Sequence, residues 1–141
     1  MELSFLDHIN HPAVIAAAFI FFAIGSLWFS ALFGTMWREE LKKEHTTIKE
    51  PTKQAIMAKM VQTLVANFIA SYAMACLVIM TGSVTIESGL FLGTLAAIGF
   101  GATAIASVFI WESRSLKLFL IDVGYPVVGI IITAVLLSVW Q

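Results

Sequence analysis

The chain has 141 residues, of which 60% are hydrophobic and only 12% are charged, and its mean hydropathy is +0.93. A soluble domain carries about twice that charged fraction, so the composition excludes an ordinary water-soluble fold. The net charge of -1 gives no sign of a nucleic-acid partner, and the single cysteine, Cys76, excludes an intramolecular disulfide.

The apolar residues form four long runs. A hydrocarbon core about 30 Å thick needs about 20 apolar helical residues, and a backbone in lipid satisfies its polar groups as a helix. We therefore predict transmembrane helices at about residues 13–33, 56–80, 89–111 and 118–140. The second helix starts near Thr52, so its first turns project from the membrane. The expected fold class is an all-α, up-down-up-down four-helix membrane bundle forming one domain over residues 1–141.

The first span follows Pro12, which suits a first helical turn because its missing N–H costs nothing there. The tail before it has no Lys or Arg, so the span does not read as a cleavable signal peptide. The connection at about residues 34–55 mixes acidic and basic residues and is expected to be a soluble loop or a short helix.

Basic residues predict the orientation of the bundle. All eight fall in or beside the first and third connections, and none falls in the tail, the second connection or the C-terminus. They are Arg38, Lys42, Lys43, Lys49, Lys53, Lys59, Arg114 and Lys117. By the positive-inside rule, both connections face the cytoplasm and both termini lie outside. We expect a multi-pass protein of the inner membrane.

The second span carries a polar stripe. Lys59, Thr63, Asn67 and Ser71 recur every four residues, with Gln62 beside them. Polar side chains in a bilayer usually turn toward protein, so this stripe is predicted to face the bundle interior.

The third span carries small residues at strict four-residue spacing: Gly89, Gly93, Ala97 and Gly101. Such spacing lets two helix backbones approach closely. The pattern fits packing within one chain and also packing between chains, which would make the protein a homo-oligomer or dock it on another membrane protein.

The fourth span contains Asp122, an unusual charge within a membrane helix. Pro126 has no N–H to give the Asp122 carbonyl. Trp28 and Gln62 are expected at a similar depth. One interpretation pairs Asp122 with Lys59, Arg114 or Gln62, or lets it reach the interface, and gives it a structural role. The other is a proton or cation site, and the candidate polar residues are Asp122, Gln62, Asn67, Lys59, Trp28 and Tyr125.

Motifs for catalysis or cofactors are missing from the sequence. It shows no nucleophile–base pair, phosphate loop, metal motif or haem motif. His8 and His11 have a spacing that could share a metal, but the sequence offers no third strong ligand near them. We therefore expect no enzyme activity, no cofactor and no metal.

Two stretches resemble a known family. One runs from Gly25 to Ser30 (GSLWFS) and continues through Phe33, Gly34 and Trp37, and the other runs from Leu118 to Tyr125 (LFLIDVGY). With four spans in 141 residues, the chain resembles a family of small, mainly bacterial membrane proteins, the domain-of-unknown-function family seventeen sixty-one. The resemblance implies a four-helix fold in a bacterial membrane and transfers no activity. In the family pattern the Asp122 position is often an amide, so Asp122 is a departure.

Three classes of function remain open from the sequence. The first is a small oligomeric carrier or channel with a polar site around Asp122 in the inner leaflet. The second is a structural or accessory subunit that docks on another membrane protein through the glycine face of the third span. The third is a membrane enzyme acting on lipid or quinone, which the scarcity of titratable groups disfavours.

Overall fold

A computed structural model describes residues 3–44 and 51–141, and side chains from residue 6 onward within those ranges. In these residues the chain is helical and contains no strand. A short 3-10 helix, Leu3–His8, precedes five helices. They are α1 (His11–Leu32), α2 (Gly34–Glu44), α3 (Lys53–Thr81), α4 (Ile86–Glu112) and α5 (Leu116–Val139). All except α2 are long and apolar enough to cross a membrane.

Polar side chains cap the first turns of the four long helices. Each accepts a hydrogen bond from a backbone N–H that has no partner inside its own helix. The caps are Asn10 for α1, Thr52 for α3, Thr85 for α4 and Ser115 for α5. At its other end α3 stops at Gly82, whose φ of 64° is readily adopted only by glycine. The helix boundaries therefore follow from local chemistry.

Helix α5 lies at the centre of the bundle and contacts α1, α3 and α4, whereas α4 packs chiefly on α5. His8, in the first described segment, and Gln141, the last residue, line the same small cavity at one end of the bundle, here called the terminal end. Apolar residues from α1, α3 and α5 fill the core toward that end. The predicted four-helix membrane fold is confirmed. Which end faces the cytoplasm stays a prediction.

Two helices contain a π turn, in which one extra residue is accommodated without ending the helix. In α1 the π turn covers Trp28–Leu32, and the Phe33 N–H donates to the Trp28 carbonyl at 2.8 Å. In α4 it covers Ala97–Ala102. The α1 turn allows two consecutive aromatic side chains, Trp28 and Phe29, both to contact α5.

Aromatic side chains pack on glycines where α1 meets α5. A Cβ atom built at Gly25 would lie 2.7 Å from the Tyr125 ring, and one built at Gly124 would lie 2.5 Å from the Trp28 ring. Gly129 faces Phe21 in the same close manner. Each glycine therefore provides the space that a neighbouring ring occupies, which fixes the antiparallel register of the two helices.

The small-residue face of α4 is covered by α5 of the same chain. A Cβ atom at Gly89 would lie 2.7 Å from the Ser138 hydroxyl oxygen, and one at Gly93 would lie 2.8 Å from the Ala134 Cβ. Ala97 is fully buried. Of the two alternatives that the sequence left open, the structure shows packing within one chain. Gly101 lies farther from α5, at 3.4 Å from the end of the Ile130 side chain.

Candidate functional site

A cleft opens between α1 and α3 in the half of the bundle that lies toward α2, here called the α2 end. Its volume is about 320 Å³. The residues that line this α1–α3 cleft are Phe22, Gly25, Ser26, Phe29, Ile56, Lys59, Met60, Thr63 and Tyr125. Apolar side chains form most of the wall. A small number of polar groups in an otherwise apolar cleft is the usual composition of a ligand site.

The predicted stripe of α3 divides at this cleft. Asn67 and Ser71 are buried in the bundle, whereas Lys59 and Thr63 are exposed and line the cleft. The expectation that the whole stripe faces the interior is therefore wrong for its first half. The reason is that α1 and α3 do not close on each other at the α2 end.

A hydrogen-bonded pair stands beside the cleft. The Tyr125 hydroxyl donates to the Asn67 side-chain oxygen at 3.1 Å. The Tyr125 ring is held between Phe21 and Phe29, with ring centroids 5.3 and 5.6 Å away. Asn67 is only 6% exposed, and its Nδ2 has no hydrogen-bond partner in the described part of the chain. A buried amide donor without a partner costs about 1–3 kcal/mol, so its presence calls for an explanation.

Lys59 is the one charged side chain that lines the α1–α3 cleft. Among residues 3–44 and 51–141 it forms no ion pair within 4.0 Å. Its backbone carbonyl accepts from the Thr63 hydroxyl at 2.8 Å, which holds that hydroxyl along the helix. No carboxylate of the described residues therefore competes with an external group for this ammonium.

Asp122 does not lie with Lys59, as one interpretation of the sequence expected. Its Oδ1 accepts from the Trp37 indole N–H at 2.8 Å. Arg114, another expected partner, pairs with Glu112 at 2.6 Å. Gln62 is exposed and forms no hydrogen bond within the described residues. The difference arises because α2 folds back beneath α5 and brings Trp37 to a residue 85 positions away.

Trp28 contacts α5 at the same depth as Trp37 does, but its hydrogen bond goes to the backbone of α5. Its indole N–H donates to the Ile121 carbonyl at 2.9 Å, one residue before Asp122. Apart from the exposed Gln62, the candidate polar residues thus divide into two groups. Trp28 and Asp122 fasten α1 and α2 to α5, whereas Lys59, Asn67 and Tyr125 surround the α1–α3 cleft.

Acidic side chains of α2 hold the first turn of α5. The Ser115 backbone N–H donates to Glu44 at 2.8 Å, and the Ser115 hydroxyl donates to Glu40 at 3.4 Å. Lys43 pairs with Glu40 at 2.7 Å, and Lys117 lies 3.9 Å from it. The hydrogen bond from Lys43, followed by smaller contributions from the nearby charges, lowers the pKa of Glu40 below its ordinary value. Carboxylates at a helix N-terminus are also favoured by the helix dipole.

Hydroxyl groups differ in whether they already have a hydrogen-bond partner. Several exposed ones donate to the carbonyl four residues earlier in their own helix, as Ser30, Thr63 and Thr103 do. The exposed Ser26 hydroxyl and the buried hydroxyls of Ser71 and Thr133 have no partner in the described part of the chain. These three hydroxyls therefore retain their capacity for hydrogen bonding.

Sequence reasoning missed several residues of this region. Trp37 was not identified as a partner of Asp122, and neither Phe29 nor Ser26 was singled out as a cleft residue. Hydropathy gives no signal for them, because apolar and small residues are common throughout a membrane helix. Within the described residues, no group of three or more His, Cys, Asp or Glu side chains lies close enough together to hold a metal ion.

The chain was compared with known protein families, with curated proteins and with solved structures. The model of the family described as "Protein of unknown function (DUF1761)" matches residues 12–138. The curated proteins and the solved structures that were compared with the chain give no match.

Proposed function

Because the chain belongs to the DUF1761 family, whose description assigns no function, we propose one from the geometry: the protein is a small membrane carrier that binds an amphiphilic molecule in the α1–α3 cleft. Two of the spanning helices form the walls of the cleft, so a membrane-dissolved ligand can enter sideways from the lipid. The proposal gives the cleft a binding role and no catalytic step.

The observation that carries the proposal is the distribution of polar groups around the cleft. Apolar side chains such as Phe22 and Met60 form the wall, Lys59 supplies one charge, and Tyr125 and Asn67 form a hydrogen-bonded pair beside it. An apolar wall suits a hydrocarbon chain, whereas the charge suits a polar head. This combination favours an amphiphile over a small ion or a fully apolar molecule.

The packing of the bundle favours a carrier over a channel formed by one chain. Toward the terminal end the described helices enclose an apolar core that includes Val14, Met74 and Val78, so an ion would find little hydration along the bundle axis. The accessory-subunit alternative relied on the small residues of α4, and α5 already covers Gly89 and Gly93. Self-association remains a proposal that would need a different face.

We place the protein in a bacterial inner membrane with the α2 end in the cytoplasm. The proposal rests on the eight basic residues in or beside the first and third connections and on their absence from the other exposed segments. The α1–α3 cleft would then open toward the inner leaflet. Both chain termini would lie outside the cytoplasm.

Photo-crosslinking can test the proposed cleft. The full chain is reconstituted in nanodiscs with a phosphatidylcholine that carries a photoactivatable group on one acyl chain. Labelled peptides should come from the cleft walls, within residues 22–29 and 56–63. Thr63→Phe should abolish most of this labelling, because the larger side chain occupies the cleft from an exposed position and does not disturb the buried core.

Val61→Phe is the matched control, because Val61 lies on the same helix and is 54% exposed but does not line the cleft. It should leave the labelling of the cleft walls unchanged. Labelling spread evenly over all lipid-facing helices, or unaffected by Thr63→Phe, would contradict the proposed function.

A further inference from the structure

Three clefts at the α2 end each have one basic side chain in their lining. Lys59 lines the α1–α3 cleft. Arg114 lines a cleft of about 380 Å³ between α4 and α5, and Lys117 lines one of about 330 Å³ between α1 and α5. Acidic residues are missing from the lining of all three. Which of the three clefts binds an anionic ligand best should therefore depend on whether its basic side chain is already paired with a carboxylate.

The three bases differ in whether a carboxylate lies within 4.0 Å of them. Arg114 pairs with Glu112 at 2.6 Å, and Lys117 lies 3.9 Å from Glu40. Lys59 forms no such pair among residues 3–44 and 51–141. An ammonium group beside lipid gains most from an anion when no side chain already supplies one.

The two helices that face each other across the cleft offer no competing acid, and the Asp122 carboxylate of α5, the helix that reaches the cleft through Tyr125, accepts a hydrogen bond from Trp37. Neither α1 nor α3 contains an Asp or Glu, and Lys53 and Lys59 are the only Lys or Arg residues in the two helices. On the α1 wall of the cleft, the Ser26 side-chain hydroxyl makes no hydrogen bond within the described residues. It is the available hydroxyl donor, since Thr63 already donates to the Lys59 carbonyl.

We infer that the occupant of the α1–α3 cleft is a lipid with an anionic phosphate headgroup. Lys59 supplies the cation for that phosphate, and the Ser26 hydroxyl supplies a hydrogen bond from the opposite wall. The acyl chain lies against Phe22, Phe29 and Met60. This inference rests on the proposed function, because it specifies the ligand of the same cleft.

Native mass spectrometry of the full chain can measure the headgroup preference. Phosphatidylglycerol and phosphatidylcholine with identical acyl chains are added together to the protein in detergent. A single basic residue near a membrane surface favours an anionic lipid by about five-fold in binding, which is the preference expected for the wild type. Lys59→Met should remove it while phosphatidylcholine still binds.

Lys117→Met is the matched control, because it removes a base that lines a similar cleft but already has a carboxylate nearby. It should keep the preference for phosphatidylglycerol. If Lys59→Met keeps the preference, or if Lys117→Met alone removes it, the inference is overturned.

Thr63→Phe separates this inference from the proposed function. Under the proposed function, this variant loses the binding of both lipids at the cleft. If it retains phosphatidylcholine binding in full, the cleft itself is not the site and both proposals fail. If it loses both lipids while Lys59→Met still prefers phosphatidylglycerol, the carrier proposal stands and only the assignment of Lys59 to an anionic headgroup fails.

Discussion

Two glycines of α4 give a sharp test of how this bundle is held together. Gly93 faces α5, and a Cβ atom there would lie 2.8 Å from the Ala134 Cβ and 2.9 Å from the Ile131 Cα. Gly99 lies six residues on in the same helix, and a Cβ atom there would meet nothing within 4 Å. Gly93→Ala and Gly99→Ala therefore add the same methyl group in opposite surroundings.

The expected energies follow from those distances. Ordinary van der Waals contact begins at 3.4 Å, so a Cβ atom at Gly93 is 3.4 − 2.8 = 0.6 Å too close to Ala134. The Ile131 Cα is backbone and cannot turn aside, so the helices must separate. Overpacking of this kind costs about 1–3 kcal/mol. Replacing glycine by alanine in a helix returns about 0.5–1 kcal/mol.

Gly93→Ala should therefore lower the free energy of unfolding by up to about 2.5 kcal/mol, since the overpacking cost is at least as large as the helix-propensity gain. Gly99→Ala should leave it unchanged or raise it by up to about 1 kcal/mol. Titration with sodium dodecyl sulfate, followed by tryptophan fluorescence, measures both variants against the wild type.

The opposite order of stability would refute the packing argument. If Gly93→Ala were as stable as Gly99→Ala, then α4 and α5 would not approach as closely as described. If Gly93→Ala changed the oligomeric state while the unfolding free energy of the monomer stayed constant, the small-residue face would lie between chains.

Three further predictions concern α2 and the orientation of the chain. Asp122→Asn keeps an acceptor for the Trp37 indole and should change the unfolding free energy by less than about 0.5 kcal/mol, whereas Trp37→Phe should lose about 0.5–1.5 kcal/mol. A large loss in Asp122→Asn would show that a cation holds the carboxylate. The pKa of Glu40 is lowered on folding, so the docking of α2 that it supports should be complete above pH 4.5 and weaken as the pH falls through the folded value below that. Spin labels on α2 and α5 should report the separation, and an unchanged pH dependence in Glu40→Gln would exclude this carboxylate as its source. Val84→Cys should react with an impermeant reagent outside intact cells and His45→Cys should not, and the reverse pattern would invert the topology.

The sequence predicts the four spans well because lipid imposes a simple rule on length and polarity. Hydropathy identifies each helix, and capping residues such as Thr85 and Ser115 mark where two of them begin. The close packing of Gly93 was also foreseeable from its spacing. Which helix would cover it was not, because small residues at four-residue intervals fit any partner.

The candidate site was predicted less completely. Asn67 and Lys59 were identified from the four-residue spacing of polar side chains on α3. That spacing could not show that Asn67 is buried whereas α1 leaves Lys59 exposed in the cleft. The partner of Asp122 was missed because the connection containing Trp37 reads as a soluble segment. The contact between Trp37 and Asp122 joins distant parts of the chain, so no local sequence pattern predicts it.

The π turn at the end of α1 constrains which insertions and deletions this chain can tolerate. Because the π turn already holds one residue more than a regular turn, deleting one residue from Trp28–Leu32 would restore a regular α-helix there and leave the direction of α2 unchanged. The same deletion between Gly34 and Trp37 has no extra residue to absorb it and would rotate the rest of α2 by about 100°, so that Glu40 and Glu44 would leave Ser115 together. A one-residue deletion is therefore tolerated within the π turn, whereas in the helix that follows it uncouples α2 as a unit.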